Sequence, residues 1–549
     1  MLERFKKIFS THFWLILIVA LGLFLRLWQL GMIPQILNRD EAALAYNAVL
    51  LRETGKDEWG RAWPLSLESF GDYKLPGYVW SLIGVFSVFG YHDWVVKLPS
   101  VMAGLGIIVI TYFFFTQIFR QSRLTGWIAA FLAAVTPVFF FYSRIAFEAN
   151  LALCFFLVSM WCLLRTAKTP KLLQKYQVQF LALRVIGIVL LLLTVFTYNT
   201  PLLLLPLLLP LVILWHGWKK PAQWLVPVAG VAIVSAIGFS SLLSVSSQKS
   251  GITIFSDQDT WLASVKYHQQ FSGWEQKILG NKMVFYSEII FRNLIASLTP
   301  SFVVIRGGTH PWHALPHYGH LFAVVYLIAT VGVIASAWLL WRKLWHQKQF
   351  VKLSRFHTLS VTHILCGWWI LIISLAPAVI TVDAPHATRS LLFFWLLIVF
   401  ATFGFQTCWR LSRQKIFMRL VVIGLVVVLA GEATNYYYQY FTSYFADSVR
   451  LLQGNFDQVI PTLESDSNLN PVAVVDTQGF HYILTAWYLK MSPTEFFSTV
   501  QHHLPDRIGF RYGYKVGKYR FIAQPEDKFP NEKALLYWDD KQLVWRVIK

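Results

Sequence analysis

Long apolar runs, most of them separated by short polar connections, dominate the chain as far as residue 436. A helix of roughly 20 apolar residues crosses about 30 Å of hydrocarbon. Runs of that kind lie near 12–30, 95–118, 124–142, 150–166, 185–200, 201–215, 222–243, 319–341, 358–381, 390–408 and 420–436. They predict an all-α polytopic membrane protein with about 11 transmembrane helices. The first run has no small-residue cleavage site and continues straight into charged sequence, so it reads as an anchor and not as a signal peptide. Tyr198-Asn199-Thr200-Pro201 predicts a tight turn between the fifth and sixth runs.

After residue 436 the pattern changes, with shorter apolar runs and interspersed charges of both signs. Pro471–Asp476 reads as a strand, His481–Lys490 as a helix, and Arg511–Ile522 and Ala534–Ile548 as strand-rich, the latter with a turn at Asp539-Asp540-Lys541. The expected organisation is a transmembrane domain over 1–436 and a small α/β extracytoplasmic domain over 437–549. Within the first, 31–94 and 244–318 form large outer loops. Tyr436–Tyr440 fits an aromatic belt at the exit of the last span.

Charge fixes the expected orientation. Gly77–Gly90 is apolar but has only 14 residues, short for a straight span. If it crossed, the basic loops 119–124 and 165–184 would face outward, against the positive-inside rule. With it at the interface, the amino terminus and the loops 119–124, 165–184, 216–220, 342–357 and 409–419 all lie inside. They carry 21 Lys/Arg against a single acid, Glu3. The formal charge of +20 is then an inner-face property, and no nucleic-acid partner is needed to account for it.

Composition agrees, with 56% hydrophobic and 14% charged residues in 549. Cys154, Cys162, Cys366 and Cys408 fall in apolar runs and read as small apolar residues, not a disulfide framework. There is no Asn-x-Ser/Thr sequon with a permissive middle residue, which leans toward a prokaryotic plasma membrane. Walker, dinucleotide-binding and His-Glu-x-x-His patterns are missing, as is an internal repeat of obvious period.

The charged residues that stand out gather on the predicted outer side. They are Asp40-Glu41, Glu68, Asp72 and Lys74 before Leu75-Pro76, Lys97 in Lys97-Leu98-Pro99-Ser100, Arg144 with Glu148, and His386 with Arg389. Acids and bases together at one interface suit group transfer from a lipid phosphate. A carboxylate activates the acceptor hydroxyl, and cations stabilise the phosphate as its charge develops. Arginine can hold phosphate oxygens bidentately, and lysine supplies a point charge.

The order of these motifs, from Leu25-Arg26-Leu27 through Asp40-Glu41, Lys74-Leu75-Pro76, Lys97-Leu98-Pro99-Ser100 and Ser143-Arg144 with Glu148 to His386-Ala387-Thr388-Arg389, resembles glycosyltransferase family 39 of the GT-C superfamily. Thr299–Leu321, with Arg306-Gly307-Gly308, is similar to a loop of its microbial members. The resemblance covers roughly residues 15–400. It implies a polyprenyl-phosphate sugar donor, an inverting displacement onto a hydroxyl of a protein, lipid or glycan acceptor, and a catalytic first outer loop. It makes Asp40 the general base, with Glu41 supporting it or orienting the acceptor. Lys74, Arg144, Arg389 and Lys97 go to the donor phosphate, Arg144 alternatively to loop ordering. Asp72, Glu148, His386, Tyr198 and Arg306 go to the substrate or acceptor side. Leu75 stands where the family's Lys-Pro-Pro type motif has its first proline, and Asp72 lies two residues before the lysine instead of one.

Plainer readings stand beside these. Asp40-Glu41 could be a solvated helix start. Lys74, Lys97 and Arg26 could snorkel to the interface. Arg144 and Glu148 could be a surface i, i+4 pair, and His386 and Arg389 could cap a span. His310, His313, His317 and His320 suggest a metal site, but Pro311 and Pro316 break any single helix through them and no cysteine or acid lies in the run, so a structural or polar-contact role is expected; the resembled family is mostly metal-independent, which implies no metal and no cofactor, with metal dependence left open. A transporter or flippase of lipid-linked sugars is the alternative function, and a scaffold whose tail binds a partner is a third. A transporter needs midspan charges, and here the polar residues concentrate on one face.

Overall fold

The computed structural model describes residues 2–165, 176–246, 252–308, 310, 312–345, 361–413, 415–506 and 509–549, with side chains omitted at 2–11 and 242–246. The masked positions include Pro311 and much of the basic loops 165–184 and 342–357. Each of the eleven apolar runs carries helix. Among the described residues, seven helices are long and apolar enough to cross a membrane: Asp93–Ile118, Gln177–Thr197, Pro221–Ser241, Ala323–Trp345, Val361–Val379, Thr388–Ser412 and Ile416–Phe441. His12–Leu27, Arg123–Val135, Glu148–Leu164 and Thr200–His216 are shorter, as is Gly77–Phe89. The chain is a multi-pass, mostly helical membrane protein.

The third run shows how sequence shortens a helix. Thr136 precedes Pro137 and is extended, at φ −66° and ψ 134°, because the proline ring excludes the helical region from the residue before it. Helix Arg123–Val135 therefore stops, and Pro137–Phe141 restarts with proline in its first turn.

The chain forms two compact units. The first comprises Met1–Arg26, Met102–Ser143 and Ala149–Tyr436. Helices Ala323–Trp345 and Leu391–Ser412 pack backbone to backbone there, because a Cβ at Gly332 would collide with the Phe400 carbonyl and one at Gly404 with the Ile328 carbonyl. Small residues permit such close approach between apolar helices. The first unit also corrects the expectation for Arg26. Its side chain is completely buried and does not snorkel. Nε donates to Ser143 Oγ at 3.0 Å, and the terminal nitrogens donate to the carbonyls of Gly22, Ala134 and Phe139 at 3.1 to 3.2 Å. A guanidinium whose donors find internal acceptors has no need to reach water.

The second unit comprises Leu27–Val101, Arg144–Glu148 and Tyr437–Lys549. Strands β1 (Leu67–Ser69) and β2 (Asp72–Lys74) form a hairpin in its first segment. Its tail holds a sheet of β3 (Val472–Val475), β4 (Gln501–His502), β5 (Gly513–Val516), β6 (Tyr519–Ile522), β7 (Ala534–Asp539) and β8 (Val544–Ile548), in the order β4-β5-β6-β3-β7-β8. Central β3 runs parallel to β6 and β7, and the other pairs are antiparallel. Strands β3 and β5 to β8 and the helix His481–Tyr488 fall in the segments read as strand and helix, whereas β4 lies outside them. Helices Ser443–Leu452, Phe456–Ser465 and Pro493–Thr499 accompany them.

The tail and first outer loop interlock inside this unit. Trp487 Nε1 donates to Asp93 at 2.7 Å, Tyr46 Oη to the Met491 carbonyl at 2.9 Å, and the Arg511 amide to the Phe70 carbonyl at 3.1 Å. The aromatic-belt expectation needs correcting at two positions. Tyr436 and Tyr440 are buried inside the protein and only Tyr438, 66% exposed, suits an interface.

Candidate active site

The acidic pair opens helix Arg39–Thr54 and its two members turn different ways. Asn38 is the N-cap, accepting from the amides of Asp40 and Glu41 at 2.9 and 3.0 Å, and Glu41 completes a capping box through the Asn38 amide at 3.0 Å. The other Glu41 oxygen accepts from the Ala146 amide at 2.6 Å, so this completely buried carboxylate ties the helix start to the 144–148 segment. Burial raises its pKa, opposed by the charge of Lys97 and by the two amide hydrogen bonds. Both Glu41 oxygens are thus engaged by backbone amides, which hold the local frame.

Asp40 meets Lys74 instead, at 2.5 Å from Nζ. Lys74 is set by the β1–β2 hairpin, whose two-residue turn places Phe70 at φ 60° and Gly71 at φ 80°. Both angles lie in the left-handed region that a type I′ turn requires. A Cβ at Gly71 would also strike the Gly509 carbonyl, which makes glycine obligatory there. Residues two apart in a strand share a face. Asp72 and Lys74 therefore lie on one side of β2.

Lys74 is nearly buried, with 8% of its side chain exposed, whereas 26% of Asp40 is open. Burial works against the ammonium charge, but Asp40, Glu148 and Asp72 outweigh it and hold the lysine pKa above its ordinary value. Burial also raises the pKa of Glu148, opposed by the charge of Lys74, so the carboxyls and the ammonium of this group are electrostatically coupled.

Two further cations expected to serve the donor phosphate, Arg144 and Lys97, are buried in this unit. Arg144 is completely buried and is no surface partner of Glu148. Its guanidinium donates to the carbonyls of Trp28, Gln29 and Ile33 at 2.6, 3.0 and 3.2 Å and to Tyr440 Oη at 2.9 Å. It gathers the start of the first outer loop onto the end of the last apolar helix, the loop-ordering role. Lys97 is also buried and donates to the Leu30 and Pro34 carbonyls at 3.3 Å, so it neither snorkels nor presents its charge outward.

One group escaped the sequence analysis. Asn47 lies two helical turns after Asp40, on the same face. It donates to Glu58 Oε2 and Ser69 Oγ, both at 3.3 Å, and accepts from the Glu58 amide at 3.0 Å. Burial pushes the Glu58 pKa up to about 8, so the carboxyl is protonated at neutral pH. The seven-residue spacing from Asp40 to Asn47 was the available signal.

The other predicted residues belong to the first unit. Tyr198 Oη lies 2.9 Å from Thr388 Oγ1, which lies 3.0 Å from His386 Nδ1. Arg389 binds Asp383 Oδ1 and donates to Thr381 Oγ1 at 2.9 Å. Burial opposes the Asp383 charge, but His310, Arg389 and His386 hold its carboxyl well below the usual range. Arg306 ends the helical turn Ser301–Arg306 and is exposed beside Gly307 and Gly308, both at positive φ. His320 Nε2 contacts the Gly307 carbonyl at 2.8 Å, which fastens that loop.

Residues 74–239 match the family described as dolichyl-phosphate-mannose-protein mannosyltransferase, beginning at Lys74 itself. The YkcB protein of Bacillus subtilis (strain 168), whose mannosyltransferase designation is provisional, is 26% identical over 159 residues, 29% of this chain and 20% of that protein. Among solved structures, ArnT from Cupriavidus metallidurans in the apo state is 13% identical with a TM-score of 0.48, over 88% of this chain and 85% of that one. The apo oligosaccharyltransferase of Archaeoglobus fulgidus is 12% identical with a TM-score of 0.48, over 86% of this chain and 63% of that one.

Proposed function

We propose that this membrane protein, which is glycosyltransferase family 39-like, transfers a sugar from a polyprenyl-phosphate carrier to a hydroxyl acceptor on the extracytoplasmic face of a prokaryotic plasma membrane. The observation that carries the reading is the Asp40–Lys74 pair, with Asp72 and Glu148 adding charge around the lysine. The match to a mannosyltransferase family beginning at that lysine supports it.

Asp40 takes the proton of the acceptor hydroxyl as its oxygen attacks the anomeric carbon, and the bond from that carbon to the phosphate oxygen breaks. Attack opposite the leaving group inverts the anomeric centre. The polyprenyl phosphate leaves with one more negative charge than it had in the diester, and Lys74, kept protonated by its carboxylates, is the cation placed to meet that charge. Asp72 and Glu148 face the acceptor side. Glu41, Arg144 and Lys97 position the loop through backbone groups. Arg389 is held by Asp383 and takes no assigned step.

Asp40→Asn keeps the shape and removes the base. Complementing a deletion strain and following glycolipids and glycoproteins by mass spectrometry should show product formation reduced by about 10²–10⁴-fold at unchanged expression. Intact transfer by the variant would overturn the assignment of the base.

A further inference from the structure

The loops around His310 and Asp383 bring together side chains that the proposed transfer step leaves unassigned. His310 Nε2 lies 3.8 Å and His386 Nε2 3.4 Å from the same atom, Asp383 Oδ2. All three donor atoms fall within 4.8 Å of one another. Good N–H···O hydrogen bonds run to about 3.2 Å, so both separations are long for direct bonding. They are close to the edge of a tetrahedron around zinc, about 3.4 Å when ligands sit about 2.0–2.2 Å from the ion.

The surroundings are organised as a ligand set requires. Arg389 occupies the other oxygen of Asp383, which leaves Oδ2 turned to the two imidazoles. Thr388 Oγ1 faces His386 Nδ1 at 3.0 Å and is itself 2.9 Å from Tyr198 Oη. The contact to Thr388 allows either direction, and in the tautomer whose Nδ1–H donates to Thr388 Oγ1 the lone pair of His386 sits on Nε2. A hydrogen bond to the far nitrogen is how proteins fix the tautomer of a ligating histidine. The His313 ring, buried, stands 5.0 Å from the rings of both His310 and His386 and walls one side.

We propose that His310, Asp383 and His386 bind one divalent cation of the zinc class, clamping the loop after Ser301–Arg306 to the loop before Leu391–Ser412. Two imidazoles and one carboxylate favour zinc over magnesium or calcium, which prefer oxygen ligands. The acid needed to complete the site comes from Asp383, more than 60 residues beyond the histidine run in which no acid was found. The proposal stands apart from Asp40 and needs no sugar-transfer assay.

The test is zinc binding by the purified full chain in detergent after chelator treatment, followed by elemental analysis and competition with a chromophoric chelator. About one zinc per chain is expected. His310→Gln with His386→Gln should abolish that zinc, Thr388→Val should weaken affinity about 10- to 100-fold, and His317→Gln, at an exposed histidine of the same run, should bind as the parent does. As a measurement independent of variant folding, zinc should raise the melting temperature of the stripped parent. No zinc bound by the parent, or equal binding by the double variant, overturns the site.

Discussion

Asp40 and Glu41 are neighbours in sequence with opposite duties. One hundred degrees of helical rotation turns Glu41 onto the amides of Asn38 and Ala146 and leaves Asp40 toward Lys74. Glu58 carries the second carboxyl of interest, with its pKa raised from an ordinary 4.5 to about 8. Below about pH 4.5 the folded and unfolded chains both hold this proton. As pH rises toward 8 the unfolded chain releases it and the folded chain keeps it, so the contribution to stability is progressively lost and levels off above about pH 8. Glu58→Gln cannot ionise. The melting temperature of the variant minus that of the parent should therefore increase between pH 5 and 8, and a flat difference would show that Glu58 is not the titrating group. The acidic pair was legible as a candidate because charge is rare in so apolar a chain. Its division of labour was not, since that depends on a cap at Asn38 and an amide 105 residues away. Arg26 and Lys97 were misjudged for a related reason: backbone carbonyls that can satisfy a buried cation leave no trace in side-chain patterning.

Elements were more legible, because period and length are local properties. All eleven apolar runs carry helix, and five of the six tail strands sit in the segments read as strand, the two-residue β4 being the exception. The helix Arg39–Thr54 gave a weaker signal, since eleven buried positions cover most of its circumference and no polar stripe marks a solvent face. Helix pairing was hidden as well, though its determinants are glycines. Gly332 and Gly404 each leave no room for a Cβ against the carbonyls of the facing helix, whereas Gly424 has nothing within 4 Å. Alanine is the better helix former by about 1 kcal/mol, so propensity alone would favour both replacements. Gly404→Ala should nevertheless lower the melting temperature in detergent, and Gly424→Ala should hold or raise it. Equal behaviour of the two variants would mean that helices Ala323–Trp345 and Leu391–Ser412 do not meet at these glycines.

At the scale of the whole molecule, the strongest regularity is where the charges fall. The six segments assigned to the inner face hold 21 Lys/Arg and one acid, and the rest of the chain holds 27 of each sign. Reversing the orientation would place all 21 cations outside, against the bias that sets membrane topology. The same assignment puts the Asp40–Lys74 pair and the tail outside, so a topology experiment tests the location proposed for the chemistry. The four native cysteines are buried, which leaves introduced cysteines as the accessible thiols for a bulky reagent. Leu504 in the tail is 89% exposed, and Lys219 in the loop 216–220 is exposed too. In intact cells a membrane-impermeant maleimide should label Leu504→Cys and should reach Lys219→Cys only after permeabilisation. The reverse pattern would place the acidic pair in the cytoplasm. Labelling of both sites in intact cells would require an odd number of crossings to be lost or gained between residues 219 and 504, with Gly77–Phe89 and the four other short helices left to account for the remaining topology.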